Sequence, residues 1–176
     1  MVEKGEKPDV ITFAGNGEPT LHPQFEEIIE DTINLRNRYF PEAKVSVLSN
    51  ACHIGKESVF RALNRVDNNI LKLDSVFLDT IKLINEPNQP KFSVDKLVDN
   101  LKRFNGNLII QTLFLCGEHK GKRIDNTTDK EVDAWLETVK LINPKQVMIY
   151  SIDRETPEKN LVKLSKEELE KIALKI

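Results

Sequence analysis

Apolar residues along this chain change period repeatedly, from the short unbroken runs of buried strands to the three-and-four spacing of helices. Val10-Ile11-Thr12-Phe13 predicts a buried strand. After Pro23, Phe25, Ile28, Ile29, Thr32 and Ile33 fall on one helical face, and proline suits a first helical turn because its missing N–H has no partner there. Val45–Leu48 predicts a second strand, and Val59, Ala62, Leu63 and Val66 a second helix. Ile70–Leu73 is a third strand, followed by the helical stripe Phe77, Leu78, Ile81 and Ile84. Ser93 caps a further helix that carries Val94, Leu97, Val98 and Leu101. Leu108 to Leu115 predicts a long fourth strand. Thr128 and Glu131 have the spacing of a capping box before Val132, Trp135, Leu136 and Val139. Val147–Tyr150 is a fifth strand, and Ser165 with Glu168 opens a last helix.

Five β-α units in succession predict an α/β fold with a parallel sheet. Two architectures satisfy that pattern: an open doubly wound sheet, or an arc of a (β/α) barrel. A complete eight-fold barrel takes about 250 residues, so 176 residues allow a partial barrel only. No linker, repeat or low-complexity stretch divides the chain, and residues 1–176 read as one domain. The 26 basic and 28 acidic residues leave a net charge of −2, which removes any bulk electrostatic drive toward nucleic acid or an anionic membrane. No apolar run has the length of a membrane span, and the polar N-terminus does not read as a secretory signal. Two distant cysteines make no disulfide framework. A cytoplasmic protein is the expectation.

In either architecture a ligand site lies beyond the carboxyl ends of the strands, and all five ends are polar. The first is followed by Gly15, Asn16, Gly17 and Glu18, the second ends at Ser49-Asn50, and the third carries Lys72 and Asp74. Gln111 sits inside the apolar fourth strand beside Thr112, and the fifth ends at Tyr150-Ser151-Ile152-Asp153-Arg154. Turn chemistry explains Asn, Ser, Asp and Gly after strands. It does not explain Lys72 and Gln111, which need buried partners. The loop Gly15–Thr20 is not a phosphate loop: it has no lysine, Pro19 has no N–H, and Glu18 repels an anion. Glycine admits close approach to the backbone, and a carboxylate beside it suits an ammonium group. The competing reading makes Glu18 a helix-entry residue that complements the helix dipole.

With "ITFAGNGEPT" after one strand, "LSNA" after the next and "KLD" at a third, the sequence resembles the radical S-adenosylmethionine (radical SAM) enzymes. The resemblance runs through "VMIYSIDRETPE" and is nearest to iron–sulfur oxidoreductases of that superfamily. It implies a partial (β/α) barrel, S-adenosylmethionine (SAM) and a [4Fe-4S] cluster held by Cys-x-x-x-Cys-x-x-Cys. The cluster reduces SAM to give a 5′-deoxyadenosyl radical that abstracts hydrogen from a substrate, here unknown. The resemblance places Gly15, Gly17, Glu18 and Pro19 at the SAM amino group. It places Ser49 and Asn50 near the methionyl or ribose part, and Lys72 and Asp74 at ribose or carboxylate. Gln111 follows on the next strand, and Tyr150, Ser151 and Ile152 stand where backbone reads adenine. It also implies an electron donor as partner.

The three-cysteine pattern is absent from these residues, so the resemblance implies a domain that lacks its first strand and cluster loop, and a chain inactive alone. No metal ligands and no catalytic residues are assigned. The expected edge at Val10–Ala14 is a site for pairing with a second chain. Two further readings compete. One is a non-catalytic flavodoxin-like module for a nucleotide or a protein. The other is a zinc set from Cys52, His53, Cys116 and His119, whose adjacent residues rarely point at one ion. His22 reads as helix entry, His53 and His119 as surface loop, and Gly117–Arg123 as a short basic loop.

Overall fold

The structure is a computed structural model that describes residues 5–15, 17–87, 90–153 and 160–176. Its centre is a parallel five-stranded sheet of β1 (Val10–Phe13), β2 (Lys44–Ser49), β3 (Asn68–Lys72), β4 (Ile109–Leu113) and β7 (Gln146–Tyr150), in the order β1-β2-β3-β4-β7. The strand order follows the chain without reversal. A doubly wound sheet reverses at a switch point, so the topology is that of a barrel arc.

Side-chain alternation gives the sheet two unlike faces. Val45, Val47, Leu71, Leu73, Leu108, Ile110 and Phe114 face the helices and join them in one core. To it α1 (Phe25–Tyr39) brings Ile29, α2 (Glu57–Arg65) Leu63, α4 (Val94–Lys102) Leu101, α5 (Asp129–Ile142) Trp135 and α6 (Lys166–Ala173) Ile172. The opposite face carries Thr12, Leu48, Ile70, Lys72, Gln111, Met148 and Tyr150, and none of these belongs to that core. These five helices therefore share one side of the sheet, as in a barrel wall. Among the described residues no helix is long and apolar enough to cross a membrane.

Four expectations change. Val10–Phe13 is an edge strand with alternating exposure, Val10 reaching 47%, because only β2 pairs with it. The long fourth strand breaks at Phe114: β4 stops at Leu113, and β5 (Leu115–His119) leaves for a second sheet. Asn126 holds that break, accepting from Leu115 N (2.9 Å) and donating to the carbonyls of Leu113 and Asp74 (each 2.7 Å). The supposed basic loop is a hairpin of β5 and β6 (Lys122–Asp125). Lys120 (φ 50°) and Gly121 (φ 73°) supply the left-handed pair such a turn demands. With β8 (Leu161–Lys163) they form an antiparallel three-stranded sheet, β6-β5-β8. Gly117 is required there, since a Cβ would lie 2.2 Å from the Asn160 carbonyl.

The fourth change is at Thr128. Its side chain caps α5 by accepting from Glu131 N, but Glu131 does not return the bond. Buried, it instead accepts from Ser75 Oγ (2.7 Å) and Thr80 Oγ1 (2.6 Å), fastening α5 to the start of α3 (Leu78–Asn85). Ser165 and Glu168 form the full reciprocal box at α6.

Candidate functional site

The loop after β1 is folded by one carboxylate. Glu18 is the N-cap of a 3-10 turn, Pro19–Leu21, whose first position the proline fills. Its Oε1 accepts from Thr20 N (3.1 Å), Thr20 Oγ1 (2.5 Å) and Ser49 Oγ (2.8 Å), and its Oε2 from Asn50 N (2.7 Å). Glu18 thus ties its own loop to the end of β2. The sequence offered helix entry and an ammonium partner as rival readings, and these bonds are the helix-entry geometry. Gly15 and Gly17 are exposed, and a Cβ built on either meets nothing within 4 Å. The loop backbone is therefore open to a ligand. Asn16 lies outside the described residues.

Ser49 and Asn50 serve the same joint. Ser49 is buried on the helix-facing side, and its Oγ also accepts from Ala51 N (3.0 Å). Asn50 Oδ1 accepts from Cys52 N (2.9 Å), and Ala51 takes φ 63° in the turn so formed. Ser49 and the Asn50 side chain hold the turn.

A second group lies on β3, β4 and β7. Lys72 pairs in register with Gln111, Gln111 with Met148, and Leu113 with Tyr150. Lys72 Nζ lies 3.0 Å from Asp74 Oδ2. Burial pulls the Lys72 ammonium down, but the Asp74 carboxylate and the Tyr150 phenol outweigh it, and its pKa stands above the usual lysine value. Asp74 is 2% exposed. It accepts from Asn85 Nδ2 (2.5 Å) through Oδ2 and from Leu113 N (2.8 Å) through Oδ1, so it fixes β3, β4 and α3 together. Lys72 keeps partial exposure on the uncovered face. Asn50, Lys72 and Asp74 line one shallow crevice with Cys52, so the two groups adjoin.

At the last strand end, Ser151 is buried, donates to Phe114 O (2.8 Å) and accepts from Leu164 N (2.9 Å). It joins the two sheets. Ile152 lines an apolar cleft with Leu113, Leu115, Ile124 and Leu161. Asp153 is exposed and near Lys163 (3.3 Å), while Arg154 lies outside the described residues. The rim of that cleft carries Glu86, His119 and Lys120. His119 is on β5 rather than a loop, with Nε2 2.9 Å from Glu86 Oε1, and Lys120 also pairs with Glu86. Sequence reasoning missed this cleft because it needs the second sheet, which no strand-length apolar run announces. His22 Nδ1 accepts from Gln24 N (3.2 Å) at the entry to α1.

The cysteines stand apart, Cys52 after β2 and Cys116 on β5. Burial pushes the Cys52 thiol up, and the Glu18 charge adds to it. Burial raises Cys116 too, with Asp125 and Glu168. Raised thiols are the opposite of what a thiolate ligand needs, and among the described residues no three His, Cys, Asp or Glu are placed to hold a metal. A [4Fe-4S] cluster does not fit these residues.

No family model matches the chain. A GTPase Obg of Brachyspira hyodysenteriae is 30% identical over 167 residues, 93% of this chain and 23% of that protein. UPF0026 proteins of Synechocystis and Helicobacter pylori are each 29% identical, over 153 and 170 residues, or 85% and 94% of this chain. The chain spans about half the length of these UPF0026 relatives (52% and 51%) and under a quarter of the Obg protein (23%). Among solved structures, a domain of pyruvate-formate lyase-activating enzyme from Bacteroides vulgatus superposes with TM-score 0.65 at 16% identity, covering 93% of this chain and 90% of that one. TYW1 with a lysine-pyruvate adduct bound gives 0.68 at 18%, covering 96% and 49%. Streptococcus suis SuiB bound to S-adenosylmethionine gives 0.60 at 16%, covering 94% and 35%. What this chain shares with these structures is the fold: one parallel sheet, walled by helices, with its strand ends open.

Proposed function

We propose that this chain is the S-adenosylmethionine-binding part of a radical SAM enzyme. The observation that carries the reading is the Glu18 joint: one carboxylate accepts four hydrogen bonds and leaves the Gly15 and Gly17 backbone facing open space. Two further supports are the motif resemblance and the likeness in fold to SuiB, solved bound to S-adenosylmethionine.

The residues fit that ligand in a definite division of labour. Backbone carbonyls of Gly15 and Gly17 receive its ammonium group, since a Cβ at either would take up the space a ligand needs. Glu18, Ser49, Asp74 and Ser151 position strand ends and do not touch it. Asn50, Lys72, Gln111 and Tyr150 offer polar groups to its carboxylate and ribose, and Ile152 packs against the adenine. Lys72, already neutralised in part by Asp74, binds a carboxylate without bringing an isolated buried charge. The cofactor supplies the adenosyl group from which radical chemistry starts. That chemistry needs a reducing cluster, and the two cysteines of the sequence fall short of the three thiolates such a cluster takes, so no reaction step is assigned to these residues. On this reading the chain alone is inactive, and an enzyme containing such a part takes an electron donor and a substrate of its own. The GTPase name of one relative does not carry over, because the Gly15–Thr20 loop has no lysine and Pro19 lacks the N–H that a phosphate loop uses.

Isothermal titration of S-adenosylmethionine tests the reading. Binding is expected in the millimolar range, about −4 kcal/mol, and Glu18→Ala is expected to abolish it. Binding that Glu18→Ala leaves unchanged contradicts it.

A further inference from the structure

We propose that the basin between the loop after β2 and the start of α4 binds the phosphate group of a small phosphorylated ligand. The basin holds about 260 Å³ and is walled by Lys56, Lys91, Lys96, His53, Ser93 and Asn100, with Phe92 and Leu97 as apolar floor. Among the described residues none of the three lysines forms an ion pair. Some cations elsewhere are paired: Arg36 with Asp67, Arg61 with Glu26, Arg65 with Glu30, and Lys175 with Asp129 and Asp133. Of the carboxylates next to these lysines in sequence, Glu57 is taken by Arg103 at 2.5 Å, and Asp95 stands beside Lys96. Three exposed ammonium groups thus line one hollow.

The donors agree. Lys56 stands at the N-cap of α2, so the positive end of that helix dipole lies at the edge of the basin. Gly55 lets Asn100 close in, its Nδ2 lying 3.0 Å from where a Cβ would stand. His53 senses the same field: burial lowers its pKa and the Lys56 charge lowers it further, against a smaller opposing pull from Glu18.

One compact hollow suits a single dianionic group on a small molecule better than a polymer, which needs a track of cations. The basin shares Cys52, Phe92 and Leu97 with the crevice of Asn50, Lys72 and Asp74, but none of its three lysines lines that crevice, so its test reads on different side chains from that of the S-adenosylmethionine reading. None of its lysines lies on the loop after β1, and a sulfonium ligand is repelled by them.

The test is a titration of the isotope-labelled chain with inorganic phosphate, glycerol 3-phosphate and sodium chloride at matched ionic strength, followed by amide NMR. Saturable shifts are expected at Gly55, Lys56, Ser93, Lys96 and Asn100 with both phosphates and not with chloride. The double variant Lys56→Gln, Lys96→Gln is expected to weaken binding at least roughly tenfold, with circular dichroism and Tm unchanged. If the double variant does not fold, Lys91→Gln alone is expected to weaken it about threefold. Shifts that follow ionic strength without saturating, or saturation that the variants leave intact, overturn the proposal. So does a short single-stranded RNA that binds this basin more tightly than glycerol 3-phosphate.

Discussion

The two faces of the five-stranded sheet are made from the same strands and do opposite work. On one, Val45, Val47, Leu71 and Ile110 are sealed beneath the helices. On the other, Lys72, Gln111 and Met148 stand in register, with Tyr150 two residues further along its strand, all outside that core and Met148 37% exposed. Alternation along each strand separates the residues that hold the fold from those free to meet a ligand. A change on one face should therefore leave the other almost untouched, which is open to test.

The largest effect is expected at Trp135, which packs edge-on against Phe114 and donates through Nε1 to Leu73 O and Thr112 Oγ1 (both 3.1 Å). Trp135→Ala should cost about 3–5 kcal/mol in urea unfolding. Asp74→Ala comes next, at about 3 kcal/mol, because it strands the Lys72 ammonium and the Leu113 N–H. Gln111→Leu should stay within about 0.5 kcal/mol. If it costs as much as Trp135→Ala, the uncovered face is not uncovered, and the comparison fails.

A smaller, pH-dependent effect sharpens the same contrast. Lys72 is raised in the folded chain by Asp74 and Tyr150 against the pull of burial. A cation so raised contributes fully below its unfolded pKa of about 10.4 and loses that contribution as pH climbs through its folded value. Stability should be flat in this respect from neutral pH to about 10 and fall above it. Lys72→Met should flatten the alkaline fall in denaturation curves. The smallest expected signal is at His53, whose imidazole should titrate below the ordinary value of about 6.5 and move up in Lys56→Gln, read by NMR.

The parallel sheet was legible in the sequence because each of its strands is an apolar run followed by a helical stripe. The second sheet was not. Its strands, Leu115–His119, Lys122–Asp125 and Leu161–Lys163, are short and mostly polar, and Gly117 serves contact with Asn160 rather than a turn. The site was half legible. Residue type and position marked Glu18, Ser49 and Asp74 as polar strand ends. Only geometry distinguishes a carboxylate that meets a ligand from one that accepts the amides of its own loop. Lys72 and Gln111 were picked out because they interrupt apolar strands, and that rule located the uncovered face.

The most direct measurement of the central claim is residue-resolved NMR mapping of S-adenosylmethionine on this chain. The account predicts saturable shifts at Gly15, Gly17, Asn50, Lys72, Gln111 and Tyr150, lost together in Glu18→Ala. Shifts centred on the helix-covered side or on the lysine basin, or a map that Glu18→Ala leaves unchanged, would contradict it.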